Sequence, residues 1–175
     1  MVALEHGISR LIGGISALSG ISTCQIWEQR NRDRPMPIQG ILREIVDRPV
    51  TADPDWTVGK ITDVMLDEDV STILIVDQHG RMIGLVTESA LLAAAVDPPR
   101  QAEAISLYME RKFASVNSRA SLDDVVQTFI DRRVRHLPVI EKGCPVGIIS
   151  RRRLLQELTG RQEEMTESMA GDSVG

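Results

Sequence analysis

Residues 69–92 (DVSTILIVDQHGRMIGLVTESALL) and 133–155 (RVRHLPVIEKGCPVGIISRRRLL) carry one pattern written twice. Val70 falls on Val134, Ile73 on Leu137 and Val76 on Ile140, each 64 positions apart. After a turn one residue shorter in the second copy, Gly84 falls on Gly147, Thr87 on Ser150, and Leu91-Leu92 on Leu154-Leu155. Upstream, Thr57-Val58 matches Ser121-Leu122, and Met65 matches Phe129. A unit of about 50 residues is too small to close a stable core alone. The repeat therefore dictates two copies packed against each other.

Each copy reads in the same order. An extended stretch (PVTAD or FASVN) precedes Thr57 or Ser121, either of which suits the N-cap of a helix. In the second copy Leu122, Val125, Val126, Phe129 and Ile130 form an apolar stripe at helical spacing. Two β-branched runs follow, separated in the first copy by the polar turn DQHGR, and a second helix (ESALLAAAV or RRRLLQEL) ends the unit. The expected fold class is α/β: two strand-helix-strand-strand-helix repeats packed as a pseudo-twofold sandwich, plus an N-terminal helix. The expected boundaries are 1–40 for the N-terminal helix and linker, 41–96 and 105–158 for the repeats, 97–104 for the connection, and 159–175 for a flexible tail. Within the first segment, LIGGISALSGISTC (11–24) reads as an amphipathic helix, since Ile8, Leu11, Ile12, Ile15 and Leu18 recur at helical spacing. It also faintly resembles a lipoprotein signal, but Glu5 precedes the only early base, Arg10, and Thr23 is bulky for the position before a lipidated cysteine.

Charge and composition narrow the function classes. The formal net charge is -5 and aromatic residues are 3% of the chain. Nucleic acid is not an expected partner, because overall electrostatic attraction and stacking platforms are both lacking. Cys24 and Cys144 form no CxxC, so no zinc site is expected and a reducing compartment, the cytoplasm, is the expectation. No apolar run approaches the roughly 20 residues that span a bilayer. HExxH, GxSxG, P-loop and strand-borne GxGxxG motifs are absent from the sequence. No catalytic residue and no metal ligand is assigned.

One segment departs from the acidic balance. Between Asp131 and Leu155, seven basic residues (Arg132, Arg133, Arg135, Lys142, Arg151, Arg152 and Arg153) face two acids. Three of them fall in the first turn of a helix, where the macrodipole disfavours cations by roughly 0.3–1 kcal/mol each. An anion at that helix end would meet arginines and exposed amides together. The plainer readings are a solvated face, dimer salt bridges, or an internal pair such as Arg153 with Glu157.

The runs ILIVDQHGRMIGLVT and HLPVIEKGCPVGIIS, with their spacing to the preceding helices, resemble the cystathionine-β-synthase (CBS) domain, two of which in tandem make a Bateman module. The resemblance covers about residues 45–158. It implies a non-catalytic module that binds an adenine nucleotide (AMP, ADP or ATP) or another phosphorylated metabolite in clefts between the repeats, forms a homodimer, and biases a regulated partner protein. Carried residue by residue, it implies ligand contacts at Thr87, Ala90, Arg135, His136, Ser150, Arg152 and Arg153, with Arg135 and His136 joining the Thr87 cleft and Arg153 the other. Nucleotide-binding members place an Asp three residues after the Thr or Ser, where its carboxylate accepts from ribose. This chain has Ala90 and Arg153 there. The alternative is a ligand-free pair that serves as a dimerisation or docking module.

Overall fold

The computed structural model describes residues 42–160, and the expected N-terminal helix and the chain beyond 160 lie outside the described residues. A helical turn, α1 (Leu42–Ile45), leads into β1 (Val46–Asp47). The first repeat follows as β2 (Thr51–Ala52), α2 (Val58–Asp67), β3 (Thr72–Val76), β4 (Met82–Thr87) and α3 (Glu88–Ala95). After α4 (Pro98–Gln101) and a 3-10 turn (Ile105–Leu107), the second repeat runs β5 (Val116–Asn117), α5 (Leu122–Arg132), β6 (His136–Glu141), β7 (Cys144–Ser150) and α6 (residues 151–160). The expected strand-helix-strand-strand-helix order occurs in both.

Local chemistry explains the elements. Thr57 caps α2 by accepting from the Lys60 amide at 3.3 Å. Ser121 and Asp124 close a reciprocal capping box on α5. Both helices end where the backbone turns left-handed, at Asp69 (φ 51°) and at Arg133 (φ 52°), positions again 64 apart. The hairpins differ as their lengths require. Lys142 and Gly143 both take positive φ, making a two-residue turn, whereas 77–81 is longer and is tied by Asp77, whose carboxylate accepts from the His79 and Arg81 amides. A register shift follows Ile75 in β3 and Val139 in β6, so even the irregularity repeats.

Two sheets result, in the orders β2-β3-β4 and β1-β7-β6-β5. The repeats exchange their leading segments. Strand β1, which precedes the first repeat, pairs antiparallel with β7 of the second (Val46 with Ile149, Asp47 with Ile148). The segment preceding the second repeat returns the contact, with Glu110 bridging Leu85 of β4. Burial follows the same exchange: Leu42 and Ile45 complete the core around Phe129, Leu137 and Ile149, while Ile105 and Met109 complete the one around Ile61, Ile73 and Val86.

The chain between repeats is more ordered than a plain linker. Asp97 starts α4 and pairs with Arg100, and the Gln101 side chain donates to the Ala95 carbonyl at 2.7 Å. Helix α6 continues to residue 160, past the expected start of the tail. The Thr159 hydroxyl bonds back to the carbonyls of Leu155 and Gln156 at 3.0 Å each.

Candidate functional site

The two hairpins meet at their open ends. The hydroxyl of Thr72, at the start of β3, shares a hydrogen bond of 2.9 Å with Nδ1 of His136, at the start of β6. These residues are 64 apart and occupy the same place in their repeats, so the seam between the halves passes between them. At the other end, the Met82 amide donates to the Gly143 carbonyl at 2.9 Å.

Beside the Thr72–His136 contact lies a cleft of about 390 Å³, within the size range of small-molecule sites. Both repeats build it. Ser71, Thr72 and Thr87 come from the first, and Arg135 and His136 from the second. Leu85, Leu92, Phe113 and Val134 supply apolar wall, and the acidic residues Glu88 and Glu110 also line it. Gly84 allows the 109–110 segment to approach: a Cβ there would stand 2.9 Å from the Met109 sulfur and 3.1 Å from the Glu110 carbonyl. That close approach puts Glu110 at the cleft.

The resemblance implies that Arg135 and His136 join Thr87, and all three line this cleft. Thr87 sits at the N-cap position of α3 without capping it; its hydroxyl shares a 3.2 Å contact with the Ser89 hydroxyl. Ser150 is different. Its hydroxyl accepts from the Arg153 amide at 3.1 Å and caps α6, and it does not line this cleft. Nor do Ala90, Arg152 and Arg153 line it. Arg153 reaches out of its helix to the Asp47 carboxylate on β1 and to the Glu44 carbonyl at 3.1 Å. Glu157 is one acid the sequence offers as a partner for Arg153; the guanidinium ties α6 to β1. Of the seven basic residues in the island, Arg135 is the one that lines the cleft. Glu110 and Phe113 were not expected here, because the pairing of Glu110 with Leu85 leaves no periodic signal in the sequence.

His136 is half-buried at the seam. Burial, and secondarily the neighbouring Arg135 guanidinium, holds its pKa below the ordinary histidine value of 6.5. The unfolded chain then takes up this proton before the folded one. The His136 contribution to stability is complete above pH 6.5 and is lost as pH falls through the lowered folded value. Melting temperatures at pH 7.5 and 5.5 should differ less for His136→Gln than for the unsubstituted chain; equal differences would refute the assignment.

Among the described residues, no helix is long and apolar enough to cross a membrane, and no three His, Cys, Asp or Glu side chains come together as metal ligands.

Comparison with known proteins gives the same architecture. The CBS domain family model matches residues 42–97 and 102–160. The uncharacterized protein MJ1225 of Methanocaldococcus jannaschii is 29% identical over 126 residues, which is 71% of this chain and 45% of the relative. The chain spans less than two thirds of the length of the curated relatives it matches first, from 37% to 64%. Among solved structures, CBSX2 in complex with AMP superposes with a TM-score of 0.59 at 16% identity, covering 68% of this chain and 96% of that one. The CBS domain pair of MJ0100, in complex with 5'-methylthioadenosine and S-adenosyl-L-methionine, gives 0.60 at 19% identity, covering 67% and 94%. With two family matches that together span most of the sequence, on two repeats that exchange their leading segments across a shared seam, this chain belongs to the CBS domain family as a tandem pair.

Proposed function

We propose that this chain is a regulatory CBS pair with no catalysis of its own, which senses an adenine nucleotide or a related adenosyl metabolite in the cleft at Thr72 and His136. One observation carries the reading: the cleft is walled by both repeats. A ligand bound there touches both halves at once, so its binding energy acts on how they pack, and a protein docked on them can respond. The AMP, 5'-methylthioadenosine and S-adenosyl-L-methionine held by the similar structures support this ligand class. Phe113 is an aromatic lining residue on which a base could stack, and Thr87 and Ser71 are hydroxyl-bearing ones. A thermal-shift screen of adenine nucleotides and adenosyl compounds tests the reading. A ligand at 100 times its dissociation constant stabilises by about 2.7 kcal/mol. No shift from any of these compounds at millimolar concentration would favour the docking-module reading.

Exposed apolar residues support a homodimer. Leu66 (76% exposed) and Ile130 (62%) hold equivalent positions 64 apart, and so, 63 apart, do Leu92 (62%) and Leu155 (57%). Large apolar side chains left outside in both copies suit a self-complementary contact. Light scattering should give twice the 19.3 kDa chain mass at tens of micromolar, and Leu66→Glu combined with Ile130→Glu should lower it toward one chain. A mass of one chain before substitution would overturn the dimer.

A further inference from the structure

The two repeats give an internal comparison that bears on what the cleft selects. In the second repeat, Ile148 of β7 pairs with Asp47, and in the first the equivalent residue, Leu85 of β4, bridges Glu110. Asp47 and Glu110 are therefore counterparts. Asp47 is answered by Arg153, from the first turn of α6. The residue equivalent to Arg153 in α3 is Ala90, which has no group to reach with. Glu110 is left without an ion-pair partner among the described residues, at the wall of the open cleft. Arg111 and Lys112 follow it in the chain but do not line the cleft.

We infer that the cleft selects a ligand carrying a positive charge, which sets against Glu110 the charge that Arg153 sets against Asp47 in the other half. This rests on the sensing reading above and narrows its ligand. A ligand that fills the cleft strips water from Glu110, and a carboxylate desolvated without a partner is costly. A polyphosphate would deepen that cost, because Glu88 lines the same wall and repels it as well. Among the described lining residues, only Arg135 opposes them with a full positive charge, since His136 is held toward its neutral form. The lining thus matches a compound with one cationic and one anionic group better than a chain of phosphates. Among adenosyl compounds, a sulfonium or ammonium bearing a carboxylate has that pattern.

Isothermal titration calorimetry on the full chain separates the possibilities, with S-adenosyl-L-methionine, 5'-methylthioadenosine and ATP as probes. S-adenosyl-L-methionine should bind at least about tenfold more tightly than ATP. Glu110→Gln should weaken it by about tenfold while changing neutral 5'-methylthioadenosine by less than about twofold, and Glu110→Asp should restore most of the loss. Ala90→Arg places a guanidinium where α3 can deliver it to Glu110, and should weaken S-adenosyl-L-methionine by about tenfold without weakening ATP. Residues 90 and 110 are both exposed, and circular dichroism melting confirms that each variant folds. ATP binding more tightly than S-adenosyl-L-methionine, or Glu110→Gln leaving the latter unmoved, would overturn this inference and leave the sensing reading standing. No heat from any probe at millimolar concentration would overturn both.

Discussion

Phe129→Ala is expected to lower the unfolding free energy by about 3–5 kcal/mol, the usual cost of deleting a buried aromatic ring. Phe129 is 4% exposed on α5, in the core that holds Val125, Leu137 and Ile149. Its counterpart in the first repeat is Met65, 6% exposed on α2. Met65→Ala should cost about 2–5 kcal/mol. The important expectation is that either substitution moves one and the same transition. The two cores are not independent: each is completed by the segment leading into the other repeat, and the hairpins are joined at Thr72–His136 and Met82–Gly143. Urea unfolding followed by circular dichroism should stay two-state in both variants, with the midpoint lowered. Two separated transitions, only one of which moves, would show that the repeats fold as autonomous units.

Ser71→Trp is expected to abolish ligand binding while leaving the fold in place. Ser71 lines the cleft, and its carbonyl accepts from the Glu88 amide at 3.0 Å, a bond that the substitution keeps. Ser71 is half-buried, so an indole there extends into the 390 Å³ cavity and not into the core. The stabilisation of about 2.7 kcal/mol at a hundredfold ligand excess should disappear. The melting temperature without ligand should change little. A retained ligand shift would mean that the ligand sits elsewhere on the molecule.

The repeat was legible because burial imposes the same demand twice. Ile73 and Leu137 are both fully buried in the first strand of a hairpin, so both must be apolar, and a step of 64 shows it directly. Thr57 and Ser121 were legible for a similar reason: a helix start needs an acceptor, and few residue types supply one. The exchange of leading segments was not. Val46–Asp47 and Glu110 each contribute one or two pairings, too few to carry a period. The consequences for charge were hidden with it. Within α6 an arginine is naturally matched to an acid four residues on, whereas Asp47 lies 106 positions earlier and becomes a neighbour only through β1 pairing with β7. The basic island therefore overstated the cation content of the cleft. Arg153 is spent on a tertiary contact, Ser150 on a helix cap, and the acid at Glu110 entered from a segment that the sequence does not mark.

The central claim, a ligand held between the repeats, is tested most directly by nuclear magnetic resonance. Backbone amide shifts of the labelled full chain would be followed as S-adenosyl-L-methionine is added. The expected result is a saturable set of changes concentrated at Ser71, Thr72, Thr87, Glu110, Arg135 and His136, from both repeats together. Smaller changes should appear around Ser150 and Arg153, where the equivalent positions are closed by the cap and by Asp47. Changes confined to one repeat, or centred on Ser150 and Arg153 with Thr87 and His136 silent, would contradict the account.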